Sequence, residues 1–371
     1  MKHELYGTRL YVDLSQLENN INYISKITNK MKIVAMVKAN AYGHGDIEIV
    51  QKMEKLGIRH FGVADFEEGV RLRAHNIKSS IMVMNPGVHS VEVLIKHNLE
   101  PVIYNKIILN ELVKSIENIS PEEKNKTPVL VHIKINTGMN RWGFNTSEIQ
   151  QLIISLKELK KIQVKSIYSH LASSENKRDD QFTIAQINEL IKIKKQFTFG
   201  LNIPIKLHIH NSFGLLRFVD TLSAFDYSRI GLALYGGIKD VNLKPISELR
   251  CLISQIRIIR KNDTVGYDQK FVAKKRMKIG VVPFGYADGL QRAWGNGGLK
   301  FYYKGSLLPT VGNISMDSCI VDLSKVQDIC EGDEIIYFGK QRLISDLAKE
   351  LNTIPHEIMS TLSRRIKRVY C

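Results

Sequence analysis

Between about residues 30 and 235 the chain alternates short apolar runs with longer segments in which apolar positions recur at helical spacing. The runs are residues 32–37, 60–64, 80–84, 100–103, 128–135, 164–170, 205–210 and 229–234. The segments between them include residues 46–55, 66–75, 88–97, 147–159 and 181–196. Short, almost wholly apolar runs read as strands covered on both faces, and the amphipathic segments read as crossover helices. Eight such units are the count of a (β/α)8 barrel; an open doubly wound sheet also alternates, but it does not require eight. In a barrel of this kind the chemistry collects at the carboxyl ends of the strands. Lys38 follows the first run, residues 136–141 follow the fifth, Ser169 and His170 close the sixth, Asn211 and Ser212 follow the seventh, and Arg229 and Gly231-Leu232 lie at the eighth.

The pattern changes after about residue 245. Runs at residues 249–259, 277–282, 300–303, 318–321 and 334–338 are separated by the turn signals Asn262-Asp263, Gly295-Asn296-Gly297-Gly298 and Glu331-Gly332-Asp333. No long helical pattern interrupts them, which reads as a mainly β domain. A helical tail over residues 343–362 precedes a last apolar-basic strand, and residues 9–12 read as a short strand ahead of the barrel. The expected organisation is a barrel over residues 1–240 and a β domain over 241–371.

Composition adds little that contradicts this. The chain has 371 residues, 44% of them hydrophobic, enough for a large packed core. No apolar run approaches the ~18 residues of a membrane span. Residues 1–6 carry no apolar leader, so a cytoplasmic enzyme is expected. Cys251, Cys319, Cys330 and Cys371 are scattered, neither a disulfide framework nor a zinc pattern. The net charge of +16 admits nucleic-acid binding. The lysines of residues 187–197, however, are interleaved with apolar positions as on a solvated helix face, and only residues 364–368 form a denser basic patch.

The most informative segment is Ala35-Met36-Val37-Lys38-Ala39-Asn40-Ala41-Tyr42-Gly43-His44-Gly45. A lysine at a strand's carboxyl end, beside a small-residue turn that a ligand can approach, suits a Schiff-base amine; an ordinary surface lysine at a strand-to-helix turn has the same spacing. His208 and His210 share a strand face, but lack the carboxylates or cysteines of a convincing metal site, so no metal is expected.

The segment resembles the cofactor-lysine motif of the alanine racemases, and the resemblance extends from Leu10-Tyr11-Val12-Asp13 to Arg368-Val369-Tyr370. It implies pyridoxal 5'-phosphate held by Lys38 as a Schiff base, with Tyr42, Ser212, Gly231 and Leu232 around its phosphate. It implies that residues 9–12 join the β domain. Arg229, in Ser228-Arg229-Ile230-Gly231, would face the pyridine nitrogen. A permanently protonated arginine donates to that nitrogen without protonating it, which weakens the ring as an electron sink. His170 would pack beside the cofactor, and Arg141 would bind its hydroxyl and the substrate carboxylate. Lys134 would be carbamylated, its new negative charge orienting Arg141. Val265-Gly266-Tyr267 resembles the motif supplying the second base, Tyr267, from the other subunit of a homodimer. Racemisation needs two bases on opposite faces, Lys38 acting on the D-enantiomer and Tyr267 on the L-enantiomer. Ser315-Met316-Asp317 and Gly285-Tyr286-Ala287-Asp288-Gly289 resemble entrance segments, with Met316 at the substrate carboxylate.

Two positions depart from the common pattern. Asn313 replaces an entrance arginine, and Arg364 stands where some relatives have a pocket-narrowing tyrosine. Arginine there either admits polar or acidic substrates or pairs with a nearby carboxylate; the second is expected. The implied activity is alanine racemisation feeding peptidoglycan synthesis. Alternatives are a racemase of serine or a broader set, a same-fold decarboxylase, and a non-catalytic cofactor-binding barrel; the second base argues against the decarboxylase and the β domain against the barrel protein.

Overall fold

The computed structural model describes residues 7–29, 31–118 and 128–371. The stretch read as lacking an apolar leader, residues 1–6, lies outside them. The first strand, β1 (Arg9–Val12), is followed by α1 (Leu14–Thr28). Eight parallel strands then alternate with helices: β2 (Lys32–Met36), α2 (Lys38–Tyr42), α3 (Asp46–Lys55), β3 (His60–Val63), α4 (Phe66–Ala74), β4 (Ser80–Val83), α5 (Val91–Lys96), β5 (Glu100–Ile103), α6 (Lys106–Glu117), β6 (Val129–Lys134), α7 (Ile149–Glu158), β7 (Ile162–Tyr168), α8 (Asp180–Leu201), β8 (Lys206–His208), α9 (Ser212–Arg217) and β9 (Tyr227–Ile230). β9 pairs back onto β2, closing the barrel.

The local reasons are legible. Beyond their charged first residues, strands such as β2 and β5 are apolar and buried, as parallel strands covered by helices must be. In α6, Ile108, Leu109, Leu112 and Ile116 form one buried stripe. Asp65, Asn105 and Asn211 cap α4, α6 and α9 by accepting backbone N–H groups of Glu68, Ile108 and Gly214.

By internal packing the chain divides into two compact units. One holds Ile21–Ala39 and Asp46–Ala233; the other holds the residues up to Asn20, Asn40–Gly45 and Leu234–Cys371. The second unit carries β10 (Ser247–Leu252), β11 (Gln255–Ile259), β12 (Thr264–Val265), β13 (Phe271–Val272), β14 (Met277–Val282), β15 (Lys300–Tyr303), β16 (Ser306–Pro309), β17 (Cys319–Asp322), β18 (Glu334–Phe338) and, after two helices, β19 (Lys367–Tyr370). Six strands form a sheet in the order β16-β15-β18-β10-β1-β19, and β11-β14-β17 form a second. β1 lies antiparallel to β10 and parallel to β19, so the first strand is an integral part of this sheet.

Two details differ from the sequence reading. Residues 249–259 are not one strand: β10 and β11 belong to different sheets, because Ile253 and Ser254 turn away to bond Asp333 O and Val281 O. The helical tail is also two helices, α10 (Ile344–Glu350) and α11 (Pro355–Ser360). Asn352 ends the first in the left-handed region at φ 52°, and Pro355 opens the second, where its missing N–H costs nothing. Among the described residues no helix is long and apolar enough to cross a membrane.

Candidate active site

Lys38 opens α2 directly beyond β2, and α2 is unusual. Ala39, Asn40, Ala41 and Tyr42 have φ between 52° and 55°, a left-handed turn built from four non-glycine residues. Such a conformation costs L-residues roughly 1–2 kcal/mol each and persists only where its surroundings hold it. One holder is Glu68, whose carboxylate accepts the N–H of Ala39 at 2.6 Å and that of Ala64 at 2.7 Å. Glu68 is absent from the candidates read from sequence, yet a signal is present there: it stands three residues after the capping residue Asp65, at the head of an amphipathic run.

Lys38 is exposed by its overall surface area. Desolvation is the largest influence lowering its pKa; the cations of Arg141 and Arg229 act in the same direction, and Glu68 opposes them. Lys134 is only 3% exposed, with Nζ 5.6 Å from the Trp142 ring centre and 5.5 Å from that of Tyr168. Burial, then Arg229, Arg141 and Lys38, push its pKa down to about 7. It therefore points into the interior, and no ion pair holds it among the described residues.

Arg141 and Trp142 sit on a loop that doubles back on β6, where Asn136 N–H bonds Phe144 O and Phe144 N–H bonds Lys134 O, each at 2.9 Å. Gly143 permits the return. Its φ is +123°, and a Cβ there would lie 2.7 Å from the Asn136 nitrogen. The Arg141 guanidinium lies 5.3 Å from the Trp142 ring centre.

Arg229 is buried in β9 without a carboxylate partner among the described residues. Its guanidinium donates to Nδ1 of His208 at 2.8 Å, the Ser169 carbonyl at 2.6 Å and Nδ1 of His170 at 3.1 Å, and it lies over the Tyr168 ring. Burial lowers its pKa to about 10, which still leaves it charged at neutral pH. His170 and His208 are held well below the ordinary histidine value, first by burial and next by Arg229. Because arginine only donates, both Nδ1 atoms must be acceptors. His210 bonds Thr221 instead, and no cluster of metal-binding side chains occurs among the described residues.

Ser212 and the loop after β9 come together: Gly231 N–H and Ala233 N–H both reach the Ser212 hydroxyl, at 3.3 and 3.1 Å. Leu232 lies buried between them. The N-cap of α9 is Asn211 rather than Ser212, which leaves the serine hydroxyl for this junction. Lys38, Lys134, Arg141, His170, Ser212, Arg229, Gly231 and Leu232 thus all belong to the barrel unit.

The remaining candidates belong to the other unit. Tyr42 is buried and stacks on Tyr235 at 4.9 Å; burial raises its pKa. Tyr267 is 70% exposed, on a turn with Gly266, Asp268 and Gln269 at positive φ. Asn313 donates to Tyr267 O at 3.3 Å and Asp268 at 3.4 Å, bracing that turn. The two segments expected at the entrance meet through Tyr286 N–H to Ser315 O and Ala287 N–H to Met316 O, and the Met316 side chain is exposed. Among the described residues Arg364 does not make the expected carboxylate pair: it is exposed, and its neighbour Arg365 takes Asp288 at 2.6 Å and Asp317 at 2.7 Å. Adjacent residues at this turn face different ways, so the carboxylates meet only one of the two arginines.

On one barrel rim the chain thus gathers an amine of lowered pKa, a buried guanidinium without a carboxylate partner among the described residues, and a serine hydroxyl facing backbone N–H groups. Models of the alanine racemase N-terminal and C-terminal domains match residues 12–239 and 246–370. The chain is 34% identical to "Alanine racemase 1" of Caldanaerobacter subterraneus subsp. tengcongensis, over 98% of this chain and 94% of the relative. It is also 34% identical to an "Amino-acid racemase" of Enterococcus faecalis, over 96% of this chain and 50% of that protein. A crystal structure of alanine racemase from Bartonella henselae with covalently bound pyridoxal phosphate superposes with a TM-score of 0.86 at 29% identity, covering 99% and 100% of the two chains. The chain belongs to the alanine racemase family, whose members are pyridoxal-phosphate-dependent isomerases.

Proposed function

We propose that the protein interconverts L- and D-alanine as a homodimer, with Lys38 of one subunit and the partner subunit's Tyr267 as the two bases. The observation that carries this reading is the pairing, on one rim, of an amine of lowered pKa with Arg229, which has no carboxylate partner among the described residues. The donor set fits pyridoxal phosphate: the Ser212 hydroxyl and the backbone of Gly231 and Leu232 suit its phosphate, Tyr42 is assigned to the same group by resemblance, and His170 packs alongside. When bound, the cofactor supplies electron withdrawal from the substrate Cα. Arg229 limits that withdrawal by donating a hydrogen bond without giving up its proton, which favours return of the Cα proton over side reactions. Lys38 takes or returns that proton at Nζ on one face, and Tyr267 at Oη on the other. Arg141 and Met316 hold the substrate carboxylate, with Lys134 carbamylated to orient Arg141.

The proposed setting is the cytoplasm, supplying D-alanine for peptidoglycan. A broader amino-acid racemase is the second reading. It is favoured by Arg364, exposed and free of a carboxylate among the described residues, and by the Enterococcus faecalis relative. A D-amino-acid assay across alanine, serine, aspartate and lysine separates the two. Turnover confined to alanine, lost in Lys38→Ala, supports the first; comparable turnover of aspartate or lysine supports the second.

A further inference from the structure

Five consecutive barrel strands each place one polar side chain in a continuous hydrogen-bonded series. Arg229 of β9 meets Nδ1 of His208 of β8 at 2.8 Å; Nε2 of His208 meets the Ser166 hydroxyl of β7 at 2.8 Å. That hydroxyl meets Nδ1 of His132 of β6 at 2.6 Å, and Nε2 of His132 meets the Glu100 carboxylate, at the start of β5, at 2.9 Å. Every member is at most 8% exposed. At the far end, Lys165 and Ser80 also bind Glu100. The β6–β7 register steps from Val131 opposite Val164 to His132 opposite Ser166, and this bulge lets the adjacent residues Lys165 and Ser166 serve Glu100 and His132 together.

The proton positions follow from the ends. Arginine only donates and a carboxylate only accepts. His208, accepting at Nδ1 and neutral, carries its proton on Nε2 and donates it to Ser166. The Ser166 hydroxyl then donates to His132, and His132 donates from Nε2 to Glu100. All four bonds run in one direction, and the requirement set by Arg229 coincides with the one set by Glu100. The opposite tautomer of His208 would set N–H against N–H at Arg229 and displace the guanidinium. Burial works to raise the Glu100 pKa, but the His132 hydrogen bond and the Lys165 charge outweigh it, so the carboxyl stays ionised.

We propose that Glu100 is a positioning residue for Arg229, acting through His132, Ser166 and His208 to fix the tautomer that Arg229 must meet. The functional part of this rests on the racemase reading; the tautomer part does not. The test is nitrogen-15 NMR of the histidine ring nitrogens, with alanine racemisation kinetics, on the cofactor-loaded protein. Three variants are compared: Glu100→Gln, which removes the charge and keeps the shape; Ser166→Ala, which breaks the series midway and leaves the Glu100–Lys165 pair; and Val131→Ala, a core truncation that removes no atom of the series. The wild type should show His208 and His132 protonated only at Nε2. Ser166→Ala should convert His208 to a tautomer mixture and lower kcat roughly tenfold or more with a smaller change in KM, as expected for a misplaced reacting group; Glu100→Gln should act in the same direction. Val131→Ala should lower Tm at least as much while leaving the His208 signals and kcat near wild type. Unchanged His208 signals in Ser166→Ala, or kcat losses that merely follow Tm across all three variants, would overturn the proposal. A wild-type protein without racemase activity but with the expected tautomers would count against the functional reading alone.

Discussion

The Glu68 carboxylate accepts the backbone N–H of Ala39, the residue immediately after the candidate catalytic lysine, at 2.6 Å. The other oxygen of the same carboxylate accepts Ala64 N–H at 2.7 Å, so one side chain ties the β3–α4 junction to the left-handed turn that presents Lys38. Bonds of this charge-assisted kind are worth more than neutral ones, and here they oppose a strained backbone. Glu68→Ala should destabilise the protein by about 2–3 kcal/mol and weaken retention of pyridoxal phosphate, with Glu68→Gln intermediate because its amide oxygen still accepts one bond. Denaturant titration with cofactor absorbance checks this; a Glu68→Ala protein with wild-type stability and retention would exclude the tie.

Lys134 offers a chemical prediction. An amine with a pKa of about 7 is substantially neutral near physiological pH and is nucleophilic toward carbon dioxide. Carbamylation would replace a buried cation crowded by Arg229, Arg141 and Lys38 with an anion among those same cations. Protein equilibrated with carbon-13-labelled bicarbonate should show one carbamate carbon signal, absent from Lys134→Ala. If the signal survives that substitution, it arises elsewhere.

The Tyr267 turn should respond in two graded ways. Tyr267→Phe should reduce L-to-D turnover by about 10²-fold or more, the usual scale for loss of a general base, with cofactor binding little changed. Asn313→Ala removes the brace on Tyr267 O and Asp268, and should lower turnover only several-fold, the tyrosine itself being intact. Steady-state kinetics in both directions decide; a Tyr267→Phe enzyme as active as wild type would refute the two-base reading.

Acid should destabilise the fold well before carboxylates titrate. Burial is the leading cause that lowers the pKa of His132, His170 and His208, and it pushes His44 and His210 to about 4. Between those values and the ordinary ~6.5 the unfolded chain binds protons that the folded chain refuses, so stability is full above ~6.5 and falls as pH drops. The low pKa of Glu100 extends the loss below ~4.3, because its stabilising contribution disappears as it is protonated. Near pH 5.5 each buried histidine should remove on the order of 1 kcal/mol. Urea midpoints measured from about pH 7.5 down to 5.5 should fall steadily; a flat profile would mean that these rings are protonated in the folded state.

The eight apolar runs and the polar residues near their ends were readable because burial on both faces leaves a local mark: a strand covered by helices is mostly apolar, and the polar residues meant for chemistry collect at or just beyond its carboxyl end. Lys38, Arg229 and Ser212 carry that mark. The join of β10 and β11 does not, since a strand that changes sheets stays apolar throughout. Arg364 and Arg365 could not be told apart, because composition does not say which of two neighbouring side chains faces Asp288.

Glu100, His132 and Ser166 show the limit most clearly. In sequence they are isolated polar residues in largely apolar strands, the bonded partners separated by 32 and 34 positions. Their pairing depends on the register of neighbouring strands and on a one-residue bulge in β7, both of which arise only when the barrel closes. The sequence alone marked candidates such as Lys38, Arg229 and Ser212 and the end of the strands near which they would lie. Tertiary structure alone decided what charges surround them and which atoms they meet, because desolvation and hydrogen bonding act between groups that the chain itself keeps far apart.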